Sequence, residues 1–278
     1  METLEVAVGP LTFEARAEGP ADGEVVLLLH GFPQTSFAWR HQLDALGGAG
    51  YRAVAPDQRG YSRRARPPEV AEYHQERLVE DAIGMADALG ADRFHVVGHD
   101  FGGLVAWHTA ARHGDRLATL TSVSTPHPRA MARSILEGGE QAEKSSYMLF
   151  FQSPEAEGFF LDNDAAGLRG LYETVGLSDT DDYLRVLGER AAMTAALNWY
   201  RALDRDVIER MGEITTPTLY AWSTEDPALG REAAEETAEH VEGPYRFEVL
   251  EGVGHFIPEE APDALNRLLL DHIGVSAG

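Results

Sequence analysis

Apolar residues along the chain form two kinds of run. Short, nearly continuous stretches at Glu24 to Leu29, Arg52 to Ala55, Arg93 to Val97 and Leu117 to Val123 read as strands, the inner ones apolar enough to be covered on both faces. Between them, Trp39 to Gly48, Gln75 to Leu89 and Leu104 to His113 have helical spacing, the last with Gly114 as its expected stop. Alternation of this kind implies a mostly parallel sheet with helices on both sides, an α/β architecture. After Ser124-Thr125-Pro126-His127-Pro128 the strand pattern disappears. From Met131 to Met211 only helical stretches occur, separated at Gly138-Gly139, Ser153-Pro154 and Gly176-Leu177-Ser178. Strands return at Thr218 to Trp222 and Arg246 to Leu250, and a helix is expected from Asp263 to Ile273. The pattern predicts a core in two parts, residues 1–125 and 214–278, with a helical cap at 126–213 inserted between late strands.

A length of 278 residues suits one large domain with such an insert. No stretch approaches the roughly 20 uninterrupted apolar residues of a membrane span. Met1 to Val6 carries neither a basic region nor an apolar signal core, so the expected location is cytoplasmic. The absence of cysteine excludes a thiol nucleophile, disulfides and thiolate metal sites. A net charge of −23 opposes nucleic acid and anionic membranes as partners. Acidic groups at Asp179-Thr180-Asp181-Asp182 and from Glu232 through Glu239 read as solvated faces, and neither a metal nor a cofactor is expected.

The chemistry starts at Val96-Val97-Gly98-His99-Asp100-Phe101-Gly102-Gly103, where an aspartate falls on a sharp strand-to-helix turn between two glycines. Two readings fit: an N-cap, for which aspartate is well suited, or a nucleophile elbow, G-x-Nu-x-G, with Asp100 in the place of serine. Three further signals fall at the C-terminal ends of expected strands, where open α/β sheets bind ligands. His30-Gly31-Phe32-Pro33 follows the first, and the backbone N–H groups of Phe32 and Phe101 could form a two-donor oxyanion hole. Ser223-Thr224-Glu225-Asp226-Pro227 and Gly252-Val253-Gly254-His255-Phe256 follow the last two. The order nucleophile, acid, histidine (Asp100, Asp226, His255) favours the elbow.

With these motifs the chain resembles the α/β hydrolases, in the epoxide hydrolase and haloalkane dehalogenase branch that uses an aspartate nucleophile. The resemblance runs from His30-Gly31-Phe32-Pro33-Gln34 through Asp57-Gln58-Arg59-Gly60-Tyr61-Ser62 and the elbow to Gly254-His255-Phe256. Two cap segments, Tyr147-Met148-Leu149-Phe150-Phe151-Gln152-Ser153-Pro154 and Asn198-Trp199-Tyr200-Arg201, are similar to those carrying the two lid tyrosines of epoxide hydrolases. The resemblance implies an α/β-hydrolase fold and an epoxide hydrolase in which Tyr147 and Tyr200 assist ring opening. Phenols suit that task because they stay neutral donors at neutral pH, and a carboxylate nucleophile needs no activating base. The implied partners are a small apolar epoxide and water, with the chain a monomer or homodimer. His30, Pro33, Trp39, Phe151 and Trp199 are expected to line the substrate pocket. A dehalogenase would share Asp100 and His255, but such enzymes commonly carry a tryptophan after the nucleophile, where Phe101 has no polar hydrogen. The branch acting on fluoroacetate would want arginines there, where Phe101 and Leu104 stand. A non-catalytic fold binding a small ligand under its cap is the remaining alternative.

Overall fold

A computed structural model describes residues 1–275. The chain opens with two strands outside the alternating pattern, β1 (Glu2–Val8) and β2 (Leu11–Glu18), paired antiparallel across Gly9-Pro10. They are half-buried strands of period two: Phe13, Ala15 and Ala17 are covered while Thr12, Glu14 and Arg16 face outward. The expected strands follow as β3 (Val25–Leu29), β4 (Arg52–Pro56), β5 (Phe94–His99), β6 (Leu117–Val123), β7 (Thr218–Ser223) and β8 (Tyr245–Leu250). Their order in the single eight-stranded sheet is β1-β2-β4-β3-β5-β6-β7-β8, with every pairing from β4 to β8 parallel. This is the α/β-hydrolase arrangement expected from the sequence.

Helices α1 (Arg40–Gly48), α2 (Gln75–Ala88) and α3 (Phe101–His113) lie where the helical spacing predicts. Gly114 ends α3 without the left-handed turn expected of a stop, passing at φ −58° into a short 3-10 turn. Between β6 and β7 the described residues form seven helices, α4 (Pro128–Glu137), α5 (Glu140–Lys144), α6 (Tyr147–Phe151), α7 (Ala156–Thr174), α8 (Asp181–Leu187), α9 (Arg190–Arg201) and α10 (Arg205–Glu209), and one isolated bridge from Ile214 to Val241. Periodicity does not signal the break inside α7, where Asn163, Asp164 and Ala165 take left-handed φ values of 55°, 62° and 57°. After β7 come α11 (Arg231–Glu236), α12 (Ile257–Glu260) and α13 (Pro262–Val275). The acidic run at 232–239 is therefore partly helical, with Ala233 and Ala234 buried and Glu232, Glu235 and Glu239 exposed.

Alternate residues of the central strands feed two separate cores. Val26, Leu28 and Val97 pack against Leu43 and Leu46 of α1 and Leu265 and Leu269 of α13. Leu27, Leu29 and Val96 face α2 and α3, and this second core continues into the inserted helices through Phe160, Leu168, Tyr172 and Tyr200. Polar contacts bind the insert to the strand ends as well. Tyr172 donates to the Pro33 carbonyl (2.6 Å), Trp199 Nε1 to the Arg59 carbonyl (2.9 Å) and Tyr183 to Glu259 (2.8 Å). Among the described residues no helix is long and apolar enough to cross a membrane.

Candidate active site

β5 extends two residues beyond its apolar run, to His99, and α3 begins at Phe101, so Asp100 alone turns the chain. It does so at φ 54°, ψ −122°, a region that costs a non-glycine residue free energy and persists only where the surroundings hold it. Here they do. A Cβ on Gly98 would lie 2.0 Å from the Gly102 carbonyl oxygen, and one on Gly102 would lie 2.0 Å from that of Leu29, so strand and helix approach too closely for any side chain. The Asp100 carbonyl accepts from Thr125 Oγ1 (2.7 Å) and Leu104 N (3.2 Å). Although Asp100 stands at the N-cap position, its side chain makes no capping hydrogen bond.

That side chain points across to the β3 loop instead. Oδ1 accepts from the N–H of Phe32 at 2.9 Å, and the nearby N–H of Phe101 also favours the ionised carboxylate. Gly31 makes the seat possible, because a Cβ there would meet Oδ1 at 2.2 Å. Oδ2 faces His255 Nε2 at 3.6 Å. The two oxygens thus differ in kind: one sits against backbone donors, and the other faces the imidazole.

His255 donates from Nδ1 to Asp226 Oδ2 (2.7 Å), and Asp226 Oδ1 accepts from the N–H groups of Ala228 (2.8 Å) and Leu229 (2.9 Å). The His255 carbonyl accepts from His99 Nε2 and Ser124 Oγ, both at 2.8 Å. Glu260 brackets the same residue from the other side, accepting from Gly254 N (2.8 Å) and Phe256 N (2.9 Å). Sequence reasoning missed Glu260; its signal was a glutamate four residues after Phe256 at a helix start, spaced to reach back to orphan N–H groups. Burial would lower the His255 pKa, but the Asp226 and Asp100 carboxylates reverse this and raise it to about 10. Burial likewise works to raise the Asp100 pKa, and the neighbouring His255 imidazolium more than offsets it, so the carboxyl is held below its usual range. The resting site is therefore a carboxylate–imidazolium pair.

Two phenols from the inserted helices overlook this pair. Tyr147 opens α6 and Tyr200 lies in α9, with ring centroids 6.4 Å apart. The Tyr200 ring stands edge-on to Phe101 (4.6 Å), Phe151 (5.0 Å) and Phe32 (5.8 Å). Burial raises both phenol pKa values well above 10, and the Asp100 charge adds to this, so both remain protonated. Neither hydroxyl meets a hydrogen-bond partner among the described residues. Both phenols are close enough to Asp100 to feel its charge.

The expected pocket residues divide. Phe151 packs on Phe32, Tyr147 and Tyr200, beside the phenols. Trp199 stacks edge-on against Phe101 (5.4 Å), but its N–H is taken by Arg59. Pro33 is buried in the loop after β3, its carbonyl taken by Tyr172. His30 and Trp39 depart from expectation. His30 is fully buried; its Nε2 accepts from Gln58 N (3.2 Å) and its Nδ1 donates to the Gly31 carbonyl (3.1 Å), so the ring ties two loops together with no nitrogen left for a ligand. Trp39 lies in the α1–α13 core, the apolar cluster separate from the one that holds Phe32 and Phe101. Aromatic spacing could not tell which face of the sheet that ring would join. A cleft of about 430 Å³ between Leu11, Pro67, Arg77 and Glu80 contains none of the predicted site residues.

Residues 24–262 match the model of the alpha/beta hydrolase fold family, and the chain belongs to that family. Epoxide hydrolase A of Mycobacterium tuberculosis is 33% identical over 298 residues, covering 92% of each chain. An AB hydrolase superfamily protein of Bacillus subtilis is 35% identical over 271 residues, covering 95% of this chain and 94% of that one. Among solved structures, an epoxide hydrolase from hot-environment metagenomes superposes with a TM-score of 0.87 at 32% identity over 98% of both chains. A mutant epoxide hydrolase of Bacillus megaterium, complexed with its naphthyloxy-propanediol product, gives 0.88 at 25% identity over 98% of this chain and all of that one. Within the family the chain stands in the epoxide hydrolase branch.

Proposed function

We propose that the chain hydrolyses small apolar epoxides to vicinal diols through a covalent ester on Asp100, beneath a cap formed by residues 126–213. The observation that carries this reading is the pair of un-ionised, unpartnered phenols, Tyr147 and Tyr200, near a carboxylate whose Oδ2, among the described residues, accepts no hydrogen bond and faces only the His255 imidazolium at 3.6 Å. An epoxide between them accepts hydrogen bonds at its oxygen from the phenols while Asp100 Oδ2 attacks a ring carbon from behind. The C–O bond of the ring breaks, the ester C–O bond forms, and the alkoxide takes a phenol proton.

Charge then governs the second step. Ester formation removes the Asp100 anion that helps to keep His255 protonated, so the imidazolium becomes more acidic and returns a proton to the phenolate. The neutral imidazole, oriented by Asp226, accepts a proton from water as that water attacks the ester carbonyl. Oδ1 carries the resulting negative charge against the N–H groups of Phe32 and Phe101. As the ester carbon–Oδ2 bond breaks, the departing oxygen takes the remaining proton of the hydroxyl that water delivered, which releases the diol with Oδ2 and restores the carboxylate–imidazolium pair. Halide displacement would need no phenol pair, and Phe101 offers no side-chain donor to a departing halide.

The test is a single turnover of styrene oxide with excess enzyme in ¹⁸O-water. The first diol should be mostly unlabelled and Asp100 should become labelled, while the His255→Gln variant should accumulate a protein adduct one substrate heavier. Full label in the first diol, with no adduct, would remove the ester and leave Asp100 as at most a general base. Turnover of bromoalkanes in preference to epoxides would move the activity to the dehalogenases.

A further inference from the structure

Lys144 is the only lysine among the 23 basic Lys and Arg residues of the chain. Its ammonium donates to the backbone carbonyl of Asp226 at 2.6 Å, and it pairs with Glu140 at 3.0 Å. On the same helix, Gln141 donates to the Ala228 carbonyl (2.9 Å) and accepts from Gly230 N (2.7 Å). Helix α5 is thereby fastened to the loop that carries the triad's acid, and Tyr147 follows three residues after Lys144. The far end of the segment is fastened as well. Gln152 donates to the Tyr200 carbonyl (3.0 Å), and Arg201 donates to the Ser153 carbonyl (3.1 Å) while Glu157 grips its guanidinium at 2.8 and 3.0 Å.

Between these two moorings lies α6, which packs through Tyr147 and Phe151 but has little backbone anchorage of its own. It has five residues, none fully buried, and Leu149 and Phe150 face outward. A helix this short forms too few internal bonds to repay its nucleation. We propose that Lys144 is a positioning residue for epoxide opening: it moors the α5–α6 segment to the acid loop and so sets the Tyr147 hydroxyl relative to Asp100. The inference rests on the reading of Tyr147 as an epoxide donor. Asp226 does not need Lys144 for its own orientation, because its carboxylate already holds two backbone N–H groups and the imidazole. An ammonium suits a single carbonyl at the end of a flexible stem, whereas a planar guanidinium favours paired acceptors.

The test is Lys144→Met, with ester formation and ester hydrolysis measured separately by rapid-quench mass spectrometry on styrene oxide. Ester formation should slow by about 10- to 100-fold, the cost of a donor displaced by about an ångström, while ester hydrolysis changes by less than about twofold. In a Tyr147→Phe background the same substitution should add little, because the group being positioned is already gone. Lys144→Arg should recover part of the rate, and Gln152→Leu, which frees the other mooring, should reproduce the pattern if Lys144→Met folds poorly. Slowed hydrolysis with normal ester formation, or effects that add fully to those of Tyr147→Phe, would overturn the proposal. Should Tyr147→Phe alone leave ester formation untouched, the donor reading itself fails, an outcome distinct from a silent Lys144→Met.

Discussion

The groups that hold Asp100 and His255 at the strand ends are mostly main-chain atoms: N–H groups of Phe32, Ala228 and Leu229, and carbonyls clamped by Thr125, His99 and Ser124. Tyr147 and Tyr200, in the helices above, are held by ring packing and by side chains such as Gln152 and Arg201 that grip helix ends. The lower half is thus fixed wherever the backbone goes and has little freedom to vary. The upper half depends on which side chains fill a few positions, and substrate shape can be altered there without disturbing the carboxylate–imidazolium pair.

The sharpest way to break this contrast is at its lower centre. Asp100→Ala should abolish epoxide turnover, by roughly 10⁴-fold or more, with far-UV circular dichroism unchanged because the Asp100 side chain makes no capping hydrogen bond to α3. Residual activity of more than a few per cent of wild type would mean that this carboxylate is not the attacking group.

Changes above should be graded. Tyr147→Phe and Tyr200→Phe should each slow ester formation, one phenol partly covering for the other, and the double variant should lose about 10²- to 10⁴-fold. Hydrolysis of an ester already formed should be unaffected in all three. If the double variant forms ester at a normal rate, the upper half contributes shape alone.

The smallest effect is on stability. His255 is held at about 10 in the folded chain against an ordinary value of 6.5, so below pH 6.5 both folded and unfolded chains carry the proton. Between the two values only the folded chain keeps it, and stability falls as pH rises through that window. The melting temperature of wild type should therefore drop from about pH 7 to about pH 9.5 by several degrees more than that of His255→Gln. Parallel curves for the two proteins would show that the imidazolium pair does not contribute to folding.

How much of this was legible in advance follows the same division. Gly98 and Gly102 advertise a close strand–helix approach, and Asp226 and His255 fall directly after apolar runs, so the lower site could be read from residue types and order. Phe32 was legible for the same reason, since what it contributes is an N–H. Tyr147 and Tyr200 came into view through resemblance, because an aromatic residue in a helix has the same spacing whether it lines a site or fills a core. Trp39 and His30 illustrate the error that follows: their types suited a pocket, while the fold put one into the α1–α13 core and used both nitrogens of the other.

By itself the sequence determined the parallel sheet, the helical run between β6 and β7, and the placing of Asp100, Asp226 and His255 in that order at strand ends, because hydrophobic period, glycine placement and chain order are local properties. Tertiary structure alone decided which oxygen of Asp100 meets the backbone and which faces His255, that His255 rests protonated, that Glu260 brackets it and that Lys144 reaches Asp226. Each of these depends on distances of 2.6 to 3.6 Å between segments far apart in the chain or across a turn, and no local pattern encodes a distance.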